Sequence, residues 1–252
     1  MHEPVVKYFS PIRLDEMDRV KLMKRTDTKY WFHASRLQNI LQQIEDQYYV
    51  LEIDGQEKLP YATTYFDTDA DKMYSTHHNG KLNRYKVRRR TYLSSGISFL
   101  EVKFKSNKGK TLKTRINTND GHIELNQEEN AFLEQLIPFN CKHLSPSLMN
   151  NFSRLTLVNK NFQERCTIDI NLRFKTAQKQ VSLDDLTIVE IKSDGRPTNS
   201  PLARALRDER IKSSGFSKYC VGRAVTDPSL KQNAFKEKIR SIEKTIQKKI
   251  NV

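Results

Sequence analysis

Three neighbouring segments of this chain place basic residues at every second position, and that period constrains the fold more than any other feature. In RYKVRRRTY (84–92) the even positions are Arg84, Lys86, Arg88 and Arg90. In ISFLEVKFK (97–105) Glu101, Lys103 and Lys105 alternate with Leu100, Val102 and Phe104. In TLKTRI (111–116) Lys113 and Arg115 alternate with Leu112, Thr114 and Ile116. A period of two is that of a β-strand, whose successive side chains point to opposite faces. Ser94-Ser95-Gly96 and Asn107-Lys108-Gly109 are turn signals between the runs, so the three segments read as a meander. A solvated sheet face normally mixes charge signs, because like charges directly opposite one another are destabilising. A face that is cationic on three successive strands is tolerated where an anion is the intended occupant.

The same alternation returns later. Arg165, Thr167, Asp169 and Asn171 alternate with Cys166, Ile168, Ile170 and Leu172, and Glu190 and Lys192 alternate with Val189 and Ile191. Thr28–His33, Ala62–Asp67, Lys72–His77 and Phe216–Arg223 read as further strands. Helices are expected at both ends and between strands. Ser10-Pro11 starts an N-terminal helical segment over about 10–24, and Ser35 caps a helix with Leu37, Ile40, Leu41 and Ile44 on one face. Asn126 and Glu129 form a capping box for a helix through Pro138, and Ser200-Pro201 opens a short helix. A last helix over about 228–250 carries Ile239, Ile242, Ile246 and Ile250 at helical spacing. No linker interrupts the chain, so residues 1–252 are read as one domain. The fold class is α+β: an antiparallel eight-stranded β-barrel tunnel with flanking helices, since closure removes exposed strand edges.

Charge and composition narrow the function. The 252 residues hold 44 Lys+Arg against 30 Asp+Glu, a formal +14, which points to a polyanionic partner. No apolar run is long enough to span a bilayer, and the first residues lack the pattern of a secretory leader. Cys141, Cys166 and Cys220 are odd in number and form no CxxC pair, which fits reduced thiols in a cytoplasmic protein. His77-His78 would point to opposite faces if extended, so the pair is a poor chelate. No glycine-rich phosphate loop occurs. Alternating basic faces turned into a barrel make a tunnel in which Lys and Arg neutralise phosphate oxygens, Arg bidentately. Carboxylates among them would hold a hard divalent ion on those oxygens.

Several motifs in order along the chain resemble the vacuolar transporter chaperone (VTC) domain family of the triphosphate tunnel metalloenzymes. They are Arg25-x-x-x-Lys29-Tyr30, Tyr65-Phe66-Asp67-Thr68, Lys86-Val87-Arg88-x-Arg90-x-Tyr92 and Phe99-Leu100-Glu101-Val102-Lys103. Lys113-x-Arg115, Val189-Glu190-Ile191-Lys192 and Phe216-Ser217-Lys218-Tyr219 follow. The resemblance implies an antiparallel tunnel and an ATP-dependent polyphosphate polymerase using a divalent ion, Mn²⁺ by preference or Mg²⁺. It implies catalytic roles for Lys29, Arg88, Arg90, Lys103, Lys113, Arg165 and Lys218, with Glu190 as the metal-binding glutamate. Glu101 is a second candidate metal ligand, and Arg84, Lys86, Lys105, Arg115, Lys160 and Lys192 are candidate substrate-binding cations. Two departures stand out. Lys160 lies where the family has an arginine, and Arg25-x-Asp27-x-Lys29 replaces the Glu-x-Glu-x-Lys strand of the wider superfamily.

The expected partners are ATP, inorganic polyphosphate, pyrophosphate or phosphate. A membrane protein is a further expected partner, through which the chain would associate with a membrane. Two alternatives stay open: a polyphosphate or nucleotide sensor without turnover, and nucleic-acid binding. The alternation of charge favours a phosphate tunnel over a nucleic-acid patch.

Overall fold

The computed structural model describes residues 6, 8–20, 25–118, 123–195 and 199–250, with the backbone alone at residue 25. Among the described residues eleven strands form one sheet. They are β1 (Ser10–Ile12), β2 (Arg25–His33), β3 (Tyr48–Leu51), β4 (Leu59–Thr68), β5 (Arg84–Tyr92), β6 (Ser98–Lys105), β7 (Thr111–Thr118), β8 (Leu144–Asn159), β9 (Glu164–Lys175), β10 (Gln180–Leu183) and β11 (Leu186–Asp194). The helices are α1 (Leu37–Gln42), α2 (Lys72–His78), α3 (Gln127–Glu134), α4 (Pro201–Asp208), α5 (Lys218–Thr226) and α6 (Lys236–Ile246).

Eight strands follow the path β2-β11-β9-β8-β4-β5-β6-β7, antiparallel at every step. The expected meander is present: Arg88 pairs with Glu101, which pairs with Arg115, and Lys86 pairs with Lys103, which pairs with Lys113. All eight strands contribute side chains to one internal cavity, so the path curls into a tunnel. Among the described residues no pairing joins β7 back to β2, so the tunnel is an incompletely closed barrel.

The inward direction of the charges is set by what covers the other face. Tyr30 and Phe32 of β2, Val189 and Ile191 of β11, and Cys166, Ile168 and Ile170 of β9 are buried in one core. Leu37, Ile40 and Leu41 of α1 and Leu202, Ala205 and Leu206 of α4 complete it. Burying these outer-face residues leaves Lys29, Glu190, Lys192, Arg165 and Asp169 on the inner face. On the meander side α3 has the expected capping box, Asn126 with Glu129, and Glu129 also receives the buried Arg89 guanidinium, Nε to Oε1 at 2.9 Å.

The inner face changes character along β9. Asn171 adopts a left-handed backbone, φ 56°, beside a register shift against β8. The extra residue moves the alternation by one, as a bulge does. Leu172 and Phe174 therefore join an apolar core with Leu148, Tyr219, Val221, Ile239 and Ile242, while Arg165 and Asp169 line the cavity.

Several expected elements take other forms. Ser10-Pro11 starts a strand: β1 pairs in parallel with β3, followed by a 3-10 turn over Asp15–Arg19, and residues 21–24 lie outside the described set. Proline suits such an edge position because it has no hydrogen to donate. His33, not Ser35, accepts at the start of the turn leading into α1. Lys72–His77 is helical because Asp67, at the end of β4, accepts from the amides of Met73 and Tyr74 at 2.9 Å each. The α3 helix stops at Glu134, short of Pro138. Phe216–Arg223 is also largely helical: Ser217 caps α5 by accepting from the Cys220 amide. Eight residues of α5 are buried, from Tyr219 to Thr226, so no polar face marks its period. The last helix begins late, at Lys236 after a 3-10 turn over Asn233–Phe235, because Asp227 turns the chain by accepting from Ser229.

Gly222 marks the tightest contact between α5 and the sheet. A Cβ there would lie 2.5 Å from Leu148 Cδ2 and 2.6 Å from Phe174 Cδ1, both fully packed side chains. Gly222→Ala should gain helix propensity yet lose net stability, by roughly 1–3 kcal/mol, because overpacking outweighs it. Urea unfolding midpoints of the two proteins measure this.

Candidate functional site

The cavity has a volume of about 640 Å³. Eleven cationic side chains line it: Lys29 from β2; Lys86, Arg88 and Arg90 from β5; Lys103 from β6; Lys113 and Arg115 from β7; Arg154 from β8; Arg165 from β9; Lys192 from β11; and Lys218 from the start of α5. All seven cations expected to be catalytic therefore converge, as do Lys86, Arg115 and Lys192 from the substrate-binding set. Arg84 and Lys105 pair with one another across β5 and β6, one step beyond the lining residues, where the ladder continues. Lys160 stands elsewhere. It lies over the Tyr49 ring at 5.6 Å, on a separate surface depression of about 780 Å³ walled largely by amides and hydroxyls. The cavity cation of β8 is instead Arg154, six residues earlier.

So much positive charge is held together by carboxylates, each set between two cations. Glu190 takes Lys192 at 2.6 Å and Lys29 on its other oxygen. Asp169 takes Arg154 in a two-point contact, 2.6 and 2.9 Å, and also Lys218. Glu101 takes Arg88 Nε at 2.6 Å and Lys113. Burial alone would raise the pKa of all three acids, but the paired cations outweigh it. Arg88, Arg90 and Lys113 hold Glu101 at about 2, and Glu190 and Asp169 are held well below the carboxylate range. Asp169 stands in the alternation of Arg165, Thr167 and Asn171, which shows its face but not its role, whereas Arg154 escapes: Arg154-Leu155-Thr156-Leu157 carries only a short alternation within a strand otherwise obscured by Pro146, Asn150 and Asn151.

Other cations lack such partners. Among the described residues no carboxylate lies within ion-pair distance of Arg90, Lys103 or Lys86; Lys86 donates to Ser217 Oγ at 3.1 Å. Lys103 is pushed down to about 6, first by Arg88 and then by burial. Burial, with neighbouring cations, brings Lys86 and Lys218 to about 8 and Arg90 to about 10. The free protein is thus short of negative charge where these side chains meet.

A divalent ion has limited protein ligands here. Among the described residues no group of three His, Cys, Asp or Glu side chains could hold one. Glu101 is sealed, its side chain 1% exposed, and Asp169 is 4% exposed; Glu190, at 19%, and the exposed Asp27 are the open ones. Hard ions such as Mg²⁺ commonly take one or two carboxylates and complete their shell with substrate phosphates and water. Glu190 fits that pattern.

The depressed lysine pKa values set a pH dependence. Folded Lys103 releases its proton near pH 6, whereas the unfolded side chain holds it to about 10.5. Between those values the unfolded state binds more protons, so stability rises with pH. The thermal midpoint of the free protein should rise from pH 6 to 9, less steeply in Lys103→Met. Bound phosphates raise these pKa values, so saturating tripolyphosphate should flatten the slope and its binding at pH 7.5 should take up protons. Calorimetry in buffers of different ionisation enthalpy measures the uptake; proton release on binding would contradict the assignment.

Comparison with known proteins agrees with this geometry. Among curated proteins none matches the chain. Of solved structures, a Hippeastrum protein named for adenylyl cyclase and described with a dominant triphosphatase activity superposes with a TM-score of 0.51 at 14% identity. That alignment covers 81% of this chain and 97% of the other, and it supports the fold. A Bacillus halodurans protein, also named for adenylate cyclase, aligns with a TM-score of 0.49 at 13% identity, over 77% and 96% of the two chains. The VTC domain family matches residues 24–227, which takes in every strand from β2 to β11 and the helix carrying Lys218. The chain belongs to the VTC domain family.

Proposed function

We propose that the protein transfers the γ-phosphoryl group of ATP to a growing polyphosphate chain inside this cavity. The observation that carries the reading is the convergence of cations from seven of the tunnel strands and α5 on one cavity, with the accessible carboxylates Glu190 and Asp27 among them. Phosphoryl transfer asks a protein for positioning and charge neutralisation and needs no covalent intermediate. Arg88, Arg90, Lys103 and Lys113 would neutralise the triphosphate from β5 to β7, and Lys29, Arg154, Arg165 and Lys218 would do so from the facing wall. A terminal oxygen of the acceptor attacks the γ-phosphorus; the new P–O bond forms as the bond to the β–γ bridging oxygen breaks, and ADP carries away that electron pair. When bound, Mn²⁺ or Mg²⁺ would be held by Glu190 and would neutralise charge on the phosphate oxygens.

A second reading, binding of nucleotide or polyphosphate without turnover, draws on the pairing of Glu190 with two lysines. An ion reaching Glu190 must compete with both. Association with a membrane would need a partner, since among the described residues no helix is long and apolar enough to cross one.

Purified protein with ATP and Mn²⁺ should produce polyphosphate, detected by dye fluorescence and gel electrophoresis. Arg88→Ala should lower kcat on the order of 10²–10³-fold, as loss of a preorganised charge donor does. Glu190→Gln should abolish metal-dependent turnover yet still bind tripolyphosphate. Native protein that binds ATP and tripolyphosphate tightly but never turns over would leave the sensor reading in its place.

A further inference from the structure

The tunnel's inner face carries accessible aromatic rings at one end, and the phosphate reading gives them no task. Phe99 opens the inner face of β6 and pairs directly with Arg90. Tyr92 follows Arg90 on β5 and lines the cavity. The two rings meet edge-on, centroids 5.9 Å apart, and the exposed Arg115 guanidinium lies 4.3 Å over the Phe99 ring. Phe99 and Tyr92 are both partly exposed, whereas the other cavity rings, Tyr65, Phe216 and Tyr219, are buried and offer no open surface. Toward the opposite end the inner positions of β5 and β6 are Arg84, Lys86 and Lys105, all cationic.

We propose that Tyr92, Phe99 and Arg115 form a nucleobase platform at the mouth of the tunnel, on which the base of a nucleoside triphosphate entering phosphates first would stack. This rests on the triphosphate reading of the cavity. Residues two apart on a strand are roughly 7 Å apart, so Tyr92 stands one step outside Arg90 and two outside Arg88, and Phe99, level with Arg90, stands two steps outside Lys103. A triphosphate neutralised by those cations carries its nucleoside outward to this step. A flat base can stack on an aromatic ring or on the face of a guanidinium held by one. Every base has a π-face, so the platform selects for the presence of a base more than for its identity.

The test compares ligands with and without a base. Calorimetry should show Phe99→Ala weakening ATP and GTP about tenfold while tripolyphosphate changes by less than about twofold. Phe99→Trp should restore nucleotide affinity, and unchanged tripolyphosphate binding certifies that both variants are folded. Equal losses for ATP and tripolyphosphate, or no loss for ATP, would overturn the platform and leave the phosphate site standing. A native protein that binds neither ATP nor tripolyphosphate would overturn the phosphate reading itself.

Discussion

Mutual repulsion among the cavity cations is the constraint around which this structure is arranged. Eleven cationic side chains face one space, and each approach of two like charges in a partly desolvated site costs energy. The fold meets that cost in two ways. Three carboxylates each sit between two cations and keep six of the eleven ordered. Lys103 meets it differently, by giving up its proton under the influence of Arg88. Breaking one bracket has consequences beyond the pair. Removing Glu101 would leave Arg88 and Lys113 facing one another and would press Lys103 further.

The bracketed arrangement also separates holding from binding. Asp169 and Glu101 are nearly inaccessible, so they fix Arg154, Lys218, Arg88 and Lys113 in place from behind. Arg90 has no such counterweight and faces the cavity with unspent charge, while Lys103, having given up its proton, can take one back when negative charge arrives. A polyanionic ligand would supply the negative charge the protein omits, so the site is electrostatically poor when free and need not be when occupied. The aromatic end of the tunnel adds contact that does not depend on charge.

Much of this was legible in the sequence where side-chain alternation is regular. β5, β6, β9 and β11 alternate because one face packs under a helix or core and the other faces the cavity, and their inward cations could be read directly; β7 keeps the same alternation although both its faces are largely exposed. Legibility failed where something remote in sequence decides local structure. α2 is organised by Asp67 from the preceding strand, and α5 is buried on nearly all sides, so neither shows a helical period. β8 carries Pro146 and a run of polar residues, and its Arg154 was missed with it. Lys160 illustrates the opposite error: a cation in the right part of the sequence whose strand has already ended at Asn159.

The bulge at Asn171 shows how little separates a channel from a core. Upstream of it β9 turns charge inward; downstream the same wall turns Leu172 and Phe174 inward. One residue in a left-handed conformation thus marks how far along β9 the polar lining of the barrel extends. Were β9 to pair without the bulge, regular alternation through Asn171 would turn Asn171 and Arg173 inward in place of Leu172 and Phe174, and the polar lining would run on past Asp169 with less apolar interior to stabilise it. The depth of the polar lining in such a barrel can therefore change through one bulge, with no change in the number of strands.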